Sequence, residues 1–194
     1  MEATGRIGIM VGPHGRGSNM AAIVRACRQG VVPGQVLIVV PSGPNSGAEA
    51  VAQELGVRTE VVLPGEDYGD RLLKALDDCE WLCLAGYLRI LPTEVLKRFP
   101  KRVLNIHPSL LPKFGGKGMY GKRVHEAVIA SGEIESGCSV HLVTEVYDDG
   151  PIVLQLKCPV LPDDTAETLA QRVLKLEHQA YPAALVKVMY DRPR

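Results

Sequence analysis

Asn105 and His107 are two residues apart and follow the apolar lead Arg102-Val103-Leu104. In an extended segment, side chains i and i+2 project to the same side, so an amide and an imidazole converge on one small volume. Pro108 restricts His107 to extended conformations and ends the strand there. Such a pair of donors suits the stabilisation of negative charge on a carbonyl oxygen. A carboxylate behind the imidazole would orient it and favour its charged form. Asp148 and Asp149, just before Gly150-Pro151, are the candidates, and their order alone does not choose between them. Two acids before a glycine are also ordinary turn chemistry. A second candidate site is Gly12-Pro13-His14-Gly15-Arg16-Gly17-Ser18-Asn19, between a strand and a helix. Its backbone could approach an anion closely. Its glycine spacing differs from the dinucleotide fingerprint and no Walker lysine follows, so a tight turn explains it equally well.

The elements that must position these groups alternate in type. Ile7 to Val11 reads as a strand, and Ser18 as the cap of a helix running to about Gln29, with Gly30 after it. Strands are expected at Val36 to Val40, Thr59 to Leu63, Trp81 to Ala85 and Val103 to Ile106. Helices are expected near Ala48 to Leu55, Tyr68 to Asp77 and Thr93 to Phe99. Repeated βα units predict a doubly wound, mostly parallel sheet, whose ligands bind beyond the carboxyl ends of the strands. The second half is less regular. A helix at Val124 to Ala130 precedes strands at Cys138 to Val143 and Ile152 to Cys158, and Asp164 is expected to cap a final helix from Thr165 toward Tyr190, interrupted by Pro182.

Composition excludes several roles. Lys plus Arg and Asp plus Glu each total 22, with a pI near 7.0, which gives no footprint for a nucleic-acid backbone. No apolar run approaches the roughly 20 residues needed to span a bilayer, and Met1 to Arg6 does not read as a charged leader. The five cysteines are scattered without a Cys-x-x-Cys pair, which points to a reduced cytoplasmic protein with no metal.

The octapeptide Asn105-Ile106-His107-Pro108-Ser109-Leu110-Leu111-Pro112, with Ser139-Val140-His141-Leu142-Val143-Thr144 and Asp148-Asp149-Gly150-Pro151, resembles the folate-dependent formyltransferase superfamily. The resemblance runs from about Ile7 to about Pro182. It implies one domain over 1–194 with a Rossmann-like half, 1–100, that binds nucleotide phosphate, and a mixed catalytic and folate-binding half, 101–194. It implies transfer of the formyl group of 10-formyltetrahydrofolate to the amine of glycinamide ribonucleotide, in purine (IMP) synthesis, by a monomer or homodimer. By the same resemblance Asn105, His107 and Asp148 are catalytic, Asp148 being chosen over Asp149. Gly17, Ser18 and Asn19 would hold the substrate phosphate and Glu177 its ribose. Backbone groups of Leu88, Arg89, Ile90 and Leu91 would meet the pterin, with the Arg89 side chain toward the acidic tail. Asn105 would also touch the folate, and Thr144, Glu145, Val146, Tyr147 and Asp148 would form the opposite wall. The resemblance also suggests a cis Leu111-Pro112 bond.

His141 alternates with apolar neighbours and reads as a structural histidine. His14 could contact phosphate, and His125 and His178 read as surface residues of helices. The chain departs from the family pattern in three places. Gly115 to Gly121 is longer and richer in glycine, and is expected to close over the amine. The loop after Leu63 lacks a folate-binding arginine, for which Arg71 is a candidate substitute, and Leu174 stands where some relatives have a lysine. Rival readings are a formyltransferase of charged tRNA, ordinarily with a further C-terminal domain, and a formyltetrahydrofolate hydrolase, ordinarily with an added N-terminal one. A non-catalytic nucleotide- or folate-binding module is the third; binding alone does not require Asn105, His107 and Asp148 together.

Overall fold

The computed structural model describes residues 5–190. Met1 to Thr4, most of the segment read for a leader, lie outside them. The elements are β1 (Arg6–Val11), α1 (Ser18–Arg28), β2 (Gln35–Pro41), α2 (Gly47–Glu54), β3 (Arg58–Thr59), α3 (Tyr68–Ala75), β4 (Trp81–Ala85), α4 (Thr93–Arg98), β5 (Val103–His107), α5 (Lys122–Ala130), β6 (Glu135–Leu142), β7 (Ile152–Pro159) and α6 (Ala166–Tyr190). They build one seven-stranded sheet in the order β3-β2-β1-β4-β5-β6-β7. The pairs from β3 to β5 are parallel, and β6 and β7 add antiparallel to β5. The doubly wound sheet with a mixed C-terminal part is therefore present as expected.

Strand period sorts the core into two layers. Ile7, Ile9 and Val11 of β1 face α1, α2 and α6, whereas Met10 joins Leu72, Leu76, Val95 and Phe99 on the α3 and α4 side. With both faces covered, every residue of β4 is buried, which accounts for its unbroken apolar run. Tyr181 of α6 is wholly buried, and its hydroxyl lies 3.0 and 2.9 Å from the carbonyl oxygens of Leu84 and Leu104. It thus pins α6 across the adjacent strands β4 and β5.

Four local expectations are corrected. The third strand is two residues long rather than Thr59 to Leu63. Glu60 and Val62 still donate their N–H groups to the Val39 and Pro41 carbonyls, both at 3.1 Å, but Pro41 has no N–H to donate in return. Gly17, not Ser18, is the N-cap of α1, and Ser18 is the first helical residue. Gly17 has φ +78°, and a Cβ there would lie 2.8 Å from the Ala48 Cα, so the packing of α2 on this loop demands glycine. The last helix is capped reciprocally by Thr165 and Thr168, whose hydroxyls each accept the other's backbone N–H at 3.3 and 2.9 Å. Asp164 instead holds Arg172, at 2.5 and 2.8 Å. Pro182 lies inside an unbroken 25-residue helix. Burial of its neighbours Tyr181, Ala184 and Leu185 against the sheet outweighs the cost of an interior proline, about 3 kcal/mol or more.

Candidate active site

The strand order reverses at β1 and β4, and the loops after these strands part to leave a crevice. A cleft of about 850 Å³ opens there, beside the end of β5. It is floored by Asn105 and His107 and walled by the loop after β4, the 116–121 segment, one face each of α5 and α6, and the β6–β7 connection.

A hydroxyl hub fixes the octapeptide. Ser139 of β6 donates to the Ser109 carbonyl at 2.6 Å. It accepts from the Leu111 N–H at 3.0 Å and from Gln155 Nε2 at 2.8 Å. Gln155 also donates to the Leu111 carbonyl, at 3.0 Å. The Leu111-Pro112 bond is cis. Ser139 stands directly opposite His107 in the antiparallel register, and His141 stands opposite Asn105.

That register adds His141 to the site. Its Nδ1–H donates to its neighbour's carbonyl, that of Leu142, at 2.9 Å, so Nε2 accepts from Asn105 Nδ2 at 3.1 Å. The second Asn105 N–H points toward Asp148 Oδ1 at 3.5 Å, the outer limit of a hydrogen bond. His107 Nε2–H donates to the Phe114 carbonyl at 2.7 Å, and its Nδ1 lies 3.4 Å from Asp148 Oδ2. The same Oδ2 accepts from Gly116 N–H at 2.9 Å. The structure thus brings Asn105, His107 and Asp148 together, with His141 behind them, while Asp149 is exposed.

Burial pulls the His107 ring below its ordinary pKa; the Asp148 charge and the Phe114 carbonyl push upward without offsetting it. The ring is mainly neutral near pH 7, with its proton on Nε2, and the long Nδ1 to carboxylate distance fits a lone pair there. Burial raises the Asp148 carboxyl, but the neighbouring His141 and His107 rings and the Gly116 N–H outweigh it, and the net shift is downward. Asp148 is a carboxylate beside a neutral imidazole that gains a partner the moment it is protonated. Both His107 nitrogens face protein acceptors, so donation to a reacting oxygen requires that oxygen to replace the Phe114 carbonyl.

One end of the cleft lies where α1 meets α6. Asn19 Nδ2 donates to Glu177 Oε2 at 2.6 Å, and burial raises the Glu177 carboxyl to about 6 against that hydrogen bond. Asn19 and Arg16 line the cleft, whereas Gly17 and Ser18 sit behind them. At the other end, Leu88 to Leu91 follow β4 and line the cleft with Thr144, Val146, Tyr147 and Asp148, but Glu145 does not. The Tyr147 hydroxyl donates to the Leu88 carbonyl at 3.4 Å and ties the two walls together. Arg71 holds the carbonyls of Leu63 and Glu66, at 2.8 and 3.1 Å, and does not line the cleft, so it is no substitute for the missing arginine.

Three contributors escaped the sequence reading. His141 belongs to the site through cross-strand register, which strand alternation does not reveal. Phe114 takes part through a backbone carbonyl, which carries no side-chain signal. His125 is 4% exposed and lines the cleft rather than the surface. The helical spacing of Val124, His125 and Val128 was the signal available for it.

The sequence matches the family model described as Formyl transferase over residues 8–185, and the chain belongs to that family. It is 42% identical over 186 residues to the chloroplastic phosphoribosylglycinamide formyltransferase of Vigna unguiculata, covering 92% of this chain and 59% of that one. The chain thus spans about three fifths of the length of that relative. It is 34% identical to the phosphoribosylglycinamide formyltransferase of Escherichia coli (strain K12), covering 91% of this chain and 84% of that one. The crystal structure of the Brucella melitensis phosphoribosylglycinamide formyltransferase superposes with a TM-score of 0.86 at 40% identity, covering 98% of each chain. Among the described residues no cluster of His, Cys, Asp or Glu could hold a metal ion, and no helix is long and apolar enough to cross a membrane.

Proposed function

We propose that this chain is a phosphoribosylglycinamide formyltransferase of purine synthesis, acting on 10-formyltetrahydrofolate and glycinamide ribonucleotide. The observation that carries the reading is the convergence of Asn105, His107 and Asp148 in one cleft between an apolar wall and a buried carboxylate. The pterin lies against Tyr87, Leu91 and Val143, its polar edge meeting backbone groups of Leu88 to Leu91, with Arg89 at the exposed rim toward the acidic tail. Asn105 also faces the folate, opposite the wall of Thr144, Val146, Tyr147 and Asp148. The ribose hydroxyls meet Glu177, and the phosphate meets the start of α1 at Gly17 to Asn19.

Holding both substrates in one cleft removes much of the entropy cost of their encounter. The amine nitrogen attacks the formyl carbon, and the carbonyl π pair moves onto oxygen. Asn105 exchanges its weak contact with Asp148 for that oxygen, and His107 exchanges the Phe114 carbonyl for it. The nitrogen's released proton is taken up by the His107–Asp148 pair, where imidazolium and carboxylate stabilise each other. The oxygen's electron pair then re-forms the carbonyl as the carbon–nitrogen bond to the folate breaks; that bond's pair goes to the folate nitrogen, and the His107–Asp148 pair delivers the proton there. The balanced surface charge favours small-molecule substrates over tRNA. The five cysteines are free, which favours a reducing compartment such as the cytoplasm. The continuous sheet supports one folded unit.

The test mixes protein with 10-formyltetrahydrofolate and adds glycinamide ribonucleotide, water alone or charged tRNA. Folate release that depends on the first addition alone is the expected result. Asn105→Ala and His107→Ala should each lower turnover by about 10²–10³ or more while remaining folded. Near-normal turnover in either folded variant refutes its assigned role.

A further inference from the structure

His125 sits on α5, is buried, and lines the cleft, yet its Nδ1 is enclosed with no hydrogen-bond partner among the described residues. An enclosed N–H without a partner is rarer than an enclosed bare acceptor. The proton therefore belongs on Nε2, which is not enclosed in the same way. Burial, and next the proximity of the His107 imidazole, disfavour protonation of the ring, so it stays neutral and presents one donor. Lys122 at the start of α5 pairs with Glu167 of α6 at 2.6 Å, which sets this wall against the helix carrying Glu177. The α6 residues Ala170 and Leu174, on the same wall, offer no hydrogen bond.

An N–H donor close to His107, but outside the reacting constellation, needs an acceptor close to the attacking amine. In an α-amino amide that acceptor is the carbonyl oxygen two bonds beyond the amine-bearing carbon. We propose that His125 is a substrate-contacting specificity residue whose Nε2–H donates to the amide carbonyl of the amine substrate. This contact rests on the function proposed above. It fixes the attacking nitrogen relative to the formyl carbon and selects α-amino amides over simple amines.

His125→Leu keeps the side-chain volume and removes the donor, whereas His125→Gln keeps an N–H at similar reach. In steady-state assays the leucine variant should raise KM for glycinamide ribonucleotide about tenfold or more, with KM for the formyl donor unchanged. Glutamine should restore most of the loss. The leucine variant should also lose its preference for glycinamide ribonucleotide over an analogue with a methylene in place of the amide carbonyl. Independently of any variant, ¹⁵N NMR of the wild-type protein should show the Nε2–H tautomer of His125. Its signal should shift on adding glycinamide ribonucleotide but not on adding a folate alone. A folded leucine variant with wild-type KM values, an Nδ1–H tautomer, or a signal unmoved by the amine substrate each overturns the proposal. Wild-type protein inactive on glycinamide ribonucleotide instead overturns the parent reading, and this one with it.

Discussion

Glu177→Gln should make the protein more stable and a poorer binder of its amine substrate, with the stability gain confined to neutral pH. Glu177 is 7% exposed and receives one hydrogen bond, from Asn19. Burial raises its carboxyl from 4.5 to about 6. Since a tenfold change in proton affinity corresponds to about 1.4 kcal/mol, that gap is worth about 2 kcal/mol. The folded protein holds this proton more tightly than the unfolded chain does. The carboxyl's stabilising contribution is therefore complete below pH 4.5, falls as pH rises through about 6, and is gone above it. At pH 7.5 the wild-type fold carries a buried charge that the neutral amide avoids, while the glutamine carbonyl still accepts from Asn19. Urea unfolding should show the variant more stable by up to about 2 kcal/mol at pH 7.5 and nearly equal at pH 4.5. KM for glycinamide ribonucleotide should rise in parallel, since a charged acceptor for ribose hydroxyls is lost. A variant no more stable than wild type at pH 7.5, or one stabilised equally at both pH values, refutes the reasoning.

Ser139→Ala removes the hub of the octapeptide and leaves the Leu111 N–H and the Ser109 carbonyl unpaired in a buried place. It should lower stability by about 2–3 kcal/mol in denaturant titrations and reduce turnover as His107 loses its frame; a loss below about 0.5 kcal/mol counts against the hub. Gly17→Ala forces a side chain at φ +78° into the Ala48 Cα, 2.8 Å away. Melting should show a loss of at least about 1 kcal/mol, together with weaker binding of the amine substrate in calorimetry. Tyr181→Phe should cost about 1 kcal/mol and leave turnover unchanged, because the hydroxyl serves the sheet and not the cleft.

The parallel half of the fold is legible in the sequence because each βα unit announces itself locally. Trp81 to Ala85 reads as a buried strand from its unbroken apolar run, and Gly30 marks a helix end by its positive φ. Asn105 and His107 are legible because a two-residue period in a strand is a strong geometric constraint. What stayed hidden depends on pairing between distant segments. Nothing local says that Asn105 will stand opposite His141, because antiparallel register is set by the whole β5–β6–β7 arrangement. His125 reads as a surface residue until α5 is known to face the cleft. Asp164 looks like a cap, and the competition was decided by Arg172, within the helix that follows it.

The mixed sheet also explains why the candidate site cannot be built from parallel strands alone. Parallel strands bring loops to one edge, and such loops line much of this cleft. The acid beside the buried imidazole is supplied here by the connection between the antiparallel strands β6 and β7. β6 runs away from the β5 terminus and returns as β7, and its connection carries Asp148 back over His107. The added pair meets a second demand as well. Buried polar groups must find partners within the protein, and those at the reacting centre satisfy one another: Asn105 with His141, His107 with Phe114, Asp148 with Gly116. The reacting oxygen therefore competes with existing bonds at that centre rather than meeting bare donors. The bond at its length limit, Asn105 to Asp148, is the one displaced most cheaply. In the proposed reaction the Asn105 amide is accordingly expected to be the first donor to reach the reacting oxygen, with His107 following only as the carbonyl of Phe114 gives way.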